Sequence, residues 1–333
     1  MLSRVAENLY WMSRYIERAE NTARIIDVNF RLLLDTGTGA DQTAAWEPLV
    51  SLAPQSQALF HAHYDAVTPD AVCRFMTFDD QNPNSILSAI TYARENARSS
   101  RESISSEMWE LLNTLYLSIT GATALTTWAK SPHAFYRQVQ YGSLQFQGTT
   151  DATMTHDDGW RFIQVGKFLE RADCATRMLD SKQTMLTEVS AGVAPDAAQW
   201  IALLRSCSAY EAYRRHQPTA RIDPEQIVEF LLLGPYFPRS VMFCVDETWA
   251  ALREIGSQGF GAAVERTLGL LRAQMEFADI AEALADLHLY LDRLQRRFNQ
   301  IGEELQSVYF HTQLRPAFST AESRAAQALA AQQ

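Results

Sequence analysis

From Leu2 to Leu34 the chain has no Gly or Pro, and Met12, Ile16, Ala19, Ala23, Ile26 and Phe30 recur at alternating spacings of four and three. That is the apolar stripe of one long helix. Further helical patterns follow, separated by breakers. Pro69 after Thr68 opens one as a first-turn proline behind a cap, and Asn84 is placed to cap a second that runs through Ser100. A third covers Ser105 to Trp128 and stops before Ser131-Pro132; the polar run Gln147 to Gly159 then reads as the longest loop. A second long helix is expected from Trp160 to Leu186, others open near Pro195, at Asp223-Pro224 and at Pro238, and a last long one spans Met275 to Gln306. No alternating strand pattern bounded by turn residues occurs, so the fold class is all-α.

The pattern also repeats. RYIERAENTARIID (Arg14 to Asp27) aligns with KFLERADCATRMLD (Lys167 to Asp180), with identity at Glu17/Glu170, Arg18/Arg171, Ala19/Ala172, Arg24/Arg177 and Asp27/Asp180. A second block, Thr68 to Ile90 over Asp223 to Val245, shares Pro69/Pro224, Phe75/Phe230, Pro83/Pro238 and Ser85/Ser240 at an offset only two residues longer. The expectation is a helical bundle of two related, pseudo-symmetric halves, 1–150 and 151–318, forming one compact unit, followed by an Ala/Gln-rich tail, 319–333. The two motif helices should pack together at its centre.

Composition narrows the class. Of 333 residues, 47% are hydrophobic and 20% charged, a globular profile. A net charge of -10 argues against a broad nucleic-acid surface. No apolar stretch approaches the ~20 residues of a membrane span, and the opening residues show no apolar signal-peptide core. Cys73, Cys174, Cys207 and Cys244 lack CxxC spacing and read as reduced thiols of a cytoplasmic protein.

On a helical wheel Tyr10, Arg14, Glu17, Asn21 and Arg24 fall opposite the stripe, with Glu20 and Arg24 four apart; Lys167, Glu170, Asp173 and Arg177 take the corresponding places in the second motif. Such faces are usually solvated. Repetition of the same charges in both halves favours instead an enclosed interior, where each charge must be paired and hydrogen-bonded. In Ala93 to Glu102, Arg94, Arg98 and Arg101 fall along one side, with Glu95 and Glu102 on another; the three arginines could form a fork for a carboxylate or phosphate, or a plain charged surface. Arg239-Ser240 opens a helix and offers either an anion site or a cap. Trp109 reads as core. The usual nucleotide-loop, nucleophile-elbow and HExxH motifs do not occur, nor does a Glu-x-x-His pair, and His61 and His63 read as solvent-facing.

ENLYWMSRYIERAENTARIID, ARENARSSRESISSEMWELLN and FLERADCATRMLD resemble the bacterial alpha-E family, helical proteins named for Glu-Arg motifs, over nearly the whole chain before Ser319. By that resemblance the signature positions are Glu17-Arg18, Glu170-Arg171 and the Glu95 to Glu102 segment. Gly234 departs from the Asp expected before Pro235. The resemblance implies an ATP-grasp amide-bond ligase as partner, often with a transglutaminase-like peptidase, and a peptide or amino-acid substrate in the system. Three functions follow. The first is a non-catalytic partner or scaffold without cofactor or metal. The second is an enzyme on amide or peptide bonds, with Glu17 and Glu170 as catalytic acid–base groups and Arg18, Arg24, Arg171 and Arg177 orienting a carboxylate. The third is a purely structural protein. Arg14, Asn21, Asp173, Arg98, Arg101, Glu95, Glu102, Arg239 and Ser240 complete the candidate binding set.

Overall fold

The computed structural model describes residues 3–36, 42–53, 56–190, 192, 194, 196–217, 222–256 and 261–310. The tail 319–333 and Pro195 lie outside them. Among the described residues every regular element is helical. In chain order they are α1 (Ser3–Thr36), α2 (Gln42–Val50), α3 (Ser56–His63), α4 (Pro69–Thr77), α5 (Ile86–Ser99) and α6 (Ser106–Thr120). Then come α7 (Ala124–Lys130), α8 (Pro132–Thr153), α9 (Asp158–Asp180), α10 (Gln183–Ser190), α11 (Ala197–Ser206) and α12 (Tyr210–His216). The last are α13 (Pro224–Leu233), α14 (Val241–Gly256), α15 (Ala262–Glu276), α16 (Ile280–Ala285) and α17 (Leu287–Leu305).

Helix ends follow side-chain capping. Thr68, Ser85, Ser105, Ser131, Asp157, Asp196, Asp223, Asp279 and Asp286 each accept a hydrogen bond from a backbone N–H of the helix they start. Pro69, Pro132 and Pro224 sit in first turns, where no backbone donor is needed.

Several boundaries differ from the sequence reading, each for a local reason. The cap of α5 is Ser85, not Asn84: its hydroxyl accepts from the Ser88 N–H. The expected loop from Gln147 is helical through Thr153, because Thr150 and Thr153 bond back to the carbonyls of Phe146 and Thr149 and are absorbed within α8. The pattern Ser105 to Trp128 divides at Gly121, which adopts extended backbone. The pattern from Trp160 ends at Asp180, with a turn before α10. The pattern Met275 to Gln306 breaks twice, where Asp279 and Asp286 turn their carboxylates onto the N–H groups of Ala281 and Leu289 and start new helices.

The two motif helices do pack together, and α1 with α9 is the most extensive helix contact. Around them, α1 also packs on α5 and α8, while α9 packs on α14 and α17; α6 bridges α5 and α8 as α15 bridges α14 and α17. Three apolar clusters fill the spaces, and α1 contributes to all of them: Ala6 and Tyr10 to one, Ala19, Ala23 and Ile26 to a second, Leu9, Met12 and Ile16 to the third. A helix buried on several sides has nowhere to send its charged face except into the interior. Trp109 only half-fulfils its core reading, packing partly buried against the third cluster. The helices approach closely at Gly166, where a Cβ would collide with the Tyr10 carbonyl oxygen and the Ser13 hydroxyl. That hydroxyl donates to the Ile163 carbonyl at 2.6 Å.

Candidate functional site

The two Glu-Arg pairs meet across the α1–α9 contact, and each binds the other. Arg171 donates to Glu17 through Nε and Nη2 at 2.9 and 2.8 Å. Arg18 donates to Glu170 through the same two atoms at 2.6 and 3.1 Å. Both contacts are bidentate forks, the strongest pairing geometry available to Arg and a carboxylate. A Glu and an Arg adjacent in sequence point to different sides of a helix, so neither motif can close on itself; crossing to the other helix satisfies both.

The remaining candidate charges are arranged around this cross-brace. Arg14 donates to Glu170 at 2.8 Å and to the Tyr10 hydroxyl at 2.9 Å. Arg239, delivered by the turn before α14, donates to Glu17 and to the Asn21 side-chain oxygen, each at 2.9 Å, and to Glu20. Glu20 also accepts from Arg24 at 2.6 Å and from Ser143 at 2.8 Å. Arg177 makes a fork onto Asp173 along α9, at 2.8 and 3.1 Å. Glu17 is 0% and Glu170 5% exposed, so the charged faces are enclosed, not solvated.

Electrostatics follow from this packing. Burial opposes the ionisation of Glu17, but Arg171 and Arg239 outweigh it and hold its carboxyl below the usual carboxylate range. Burial likewise opposes that of Glu170, and Arg18 and Arg14 bring it down to about 2. Burial disfavours the Lys167 ammonium, and Arg171 adds repulsion, so its pKa is lowered. Burial pushes the Cys174 thiol well up. Among the described residues no group of His, Cys, Asp or Glu could hold a metal ion.

Other candidates stay outside the network. Ser240 caps α14, accepting from the Phe243 N–H at 3.2 Å, so the anion-site option at this helix start passes to Arg239, whose anions are Glu17 and Glu20. The fork of Arg94, Arg98 and Arg101 does not form, because Arg94 and Arg98 both turn onto Glu95. Arg101 lies over the Trp109 ring, and Glu102 is exposed. His61 and His63 are exposed, as expected.

Sequence reasoning missed four supports. Gln147 donates to Glu17 at 3.0 Å and accepts from Arg171 at 3.2 Å; its place in an expected loop hid it. Asn84 accepts from Arg18 at 3.0 Å, and its alignment with Arg239 in the second repeated block was an available signal. Two histidine–aspartate contacts, His133 with Asp27 at 2.6 Å and His288 with Asp180 at 2.8 Å, involve the last residue of each motif.

With two interlocked Glu-Arg pairs in view, the comparisons with known proteins become informative. The Alpha-E family, described as a predicted alpha-helical domain with a conserved ER motif, matches residues 1–310. The chain belongs to this Alpha-E family. Its relatives include a protein of Mycobacterium bovis and proteins of two strains of Mycobacterium tuberculosis, each described as uncharacterized. Each is 24% identical over 321 residues, covering 86% of this chain and 35% of the relative. The chain thus spans about a third of the length of these curated relatives. No solved structure matches it. No described helix is long and apolar enough to cross a membrane.

Proposed function

We propose that the chain is a non-catalytic helical module of an amide-bond-forming ligase system, which binds an ATP-grasp-type ligase or presents its peptide or amino-acid substrate, with a transglutaminase-like peptidase as a further partner. The observation that carries the non-catalytic reading is the cross-brace. Glu17 and Glu170 are ionised and their oxygens are taken up by guanidiniums. A general acid or base works best with a pKa near the operating pH and with access to the reacting atoms; these two carboxylates serve charge pairing instead. The partner class comes from the family resemblance. A module joined to other functional parts also suits a match that covers 35% of the mycobacterial relatives. A cytoplasmic setting suits four free cysteines, and duplicated halves suit the reciprocal use of the two motifs.

The test is affinity purification of the tagged protein from its native host, then a ligation assay with and without it, alongside calorimetry with ATP-Mg²⁺ on the pure chain. A co-purifying ligase and a gain in amide-bond formation are the expected results. Micromolar ATP binding by this chain alone overturns the reading. Full ligase activity in its absence, with no complex formed, overturns it too.

A further inference from the structure

Beside the second motif, a cleft of about 120 Å³ opens between α1, α2, α4 and α9, room for on the order of ten water-sized groups. Its lining is polar at Arg18, Asn21 and Arg177 and apolar at Ile25, Leu49 and Leu52. Glu170 and Asp173 also join the polar part, so its charge depends on what stands behind it.

The balance is positive. The ion-paired groups at and directly behind the cleft are three guanidiniums (Arg14, Arg18 and Arg177) and two carboxylates (Glu170 and Asp173), which leaves one positive charge uncompensated. At the cleft itself Glu170 is shared between Arg14 and Arg18. This excess sits inside a chain whose net charge is -10. Spare donors lie in the same lining. Arg177 commits Nε and Nη2 to Asp173 and, among the described residues, leaves Nη1 without a hydrogen bond, with the side chain 18% exposed. Asn21 is 3% exposed; its oxygen accepts from Arg239, and its Nδ2 has no partner just beneath the surface of the cleft. A buried donor without a partner is costly, and excess buried positive charge calls for an anion.

We propose that this cleft binds an α-carboxylate borne on an aliphatic residue. The carboxylate accepts from Arg177 Nη1 and from the outer N–H groups of Arg18, and draws in the Asn21 amide. The aliphatic body covers Leu49 and Leu52, which are only partly buried and which a bare phosphate would leave so. Two sources carry this chemistry, a free amino acid and the C-terminal residue of a peptide. They differ in the amino group: a free ammonium would meet Asp173, whose two oxygens each accept one hydrogen bond from Arg177 and keep further lone pairs for a second donor. That the ligand is a ligase substrate rests on the function proposed above; the site itself stands on the cleft and its charge.

Calorimetry of the full chain with leucine, N-acetyl-leucine, leucinamide and inorganic phosphate tests it. Saturable binding of leucine or N-acetyl-leucine at millimolar concentration is expected, with leucinamide at least about tenfold weaker. Binding of leucine alone assigns a free amino acid; binding of the acetylated form assigns a peptide end. Arg177→Gln, which breaks a pair with side chains 18% and 17% exposed, and Asn21→Asp, which keeps the acceptor for Arg239, should each weaken binding at least about tenfold while still unfolding in one cooperative transition. Arg296→Gln, on an exposed side chain of α17, should bind unchanged. No binding of either acid, equal binding of leucinamide, binding of phosphate alone, or wild-type affinity in folded Arg177→Gln overturns the site. None of these outcomes touches the ligase complex, which co-purification judges separately.

Discussion

Replacing Glu170 by Gln keeps the side chain's shape between Arg14 and Arg18 and removes its charge. In the folded chain this carboxyl is held at about 2, against 4.5 for an ordinary glutamate. The unfolded chain therefore binds the proton more readily, so the group adds stability above the unfolded value and loses it as pH falls through the folded one. The whole interval corresponds to about 3 kcal/mol, of which about 1 kcal/mol is lost near pH 4 and about 2 kcal/mol near pH 3. The two arginines are partly exposed, with side-chain values of 15% and 22%, so solvent tempers the cost of leaving them unpaired. Urea denaturation of wild type and Glu170→Gln across this range reads the effect directly. Wild type is expected to be the more stable near neutrality, and its advantage to shrink by about 2 kcal/mol on reaching pH 3. An advantage that stays constant from neutral to acid pH would refute the reasoning, because it would mean that Glu170 takes up its proton equally in both states.

Gly166→Ala places a methyl group against the Tyr10 carbonyl and Ser13 and should cost about 1–3 kcal/mol by thermal unfolding. Gly148→Ala, with open space around it, should be neutral or stabilise by up to about 1 kcal/mol; equal effects at the two sites would deny the close approach of α1 and α9. Arg98→Glu, on an exposed side chain, and Arg101→Glu should change stability by no more than about 0.5 kcal/mol. If this surface meets an acidic patch of the ligase, the same reversals should weaken its capture in the affinity purification.

What could be read in the sequence divides along a physical line. The stripe Met12 to Phe30 identified α1 because periodicity is a local property, and the prolines after Thr68 and Asp223 marked true helix starts. The charges at Glu17, Arg18, Glu170 and Arg171 stood out because they recur. Which of them pair did not, because Arg171 and Arg239 reach Glu17 across 154 and 222 residues of chain and no local pattern encodes those distances. Polarity misled at Gln147 to Thr153, where side chains that look solvated are spent on the interior network and on back-bonds within α8. It misled again at Asp279 and Asp286, which an amphipathic pattern tolerates but whose carboxylates cap new helices. The cleft beside Arg177 could not be foreseen, since its lining is gathered from α1, α2 and the turn after it, α4 and α9.

The interlocking of the two Glu-Arg motifs is tested most directly by a double-mutant cycle on Glu17 and Arg171. Glu17 is fully buried and Arg171 nearly so, with side chains 0% and 8% exposed. Glu17→Ala and Arg171→Ala should each cost about 3–5 kcal/mol in urea denaturation, because each leaves the other's charge buried. The double variant should cost less than the sum by at least about 2 kcal/mol. Single losses within about 1 kcal/mol, as on a solvated face, or costs that add to within about 0.5 kcal/mol, would contradict the cross-brace.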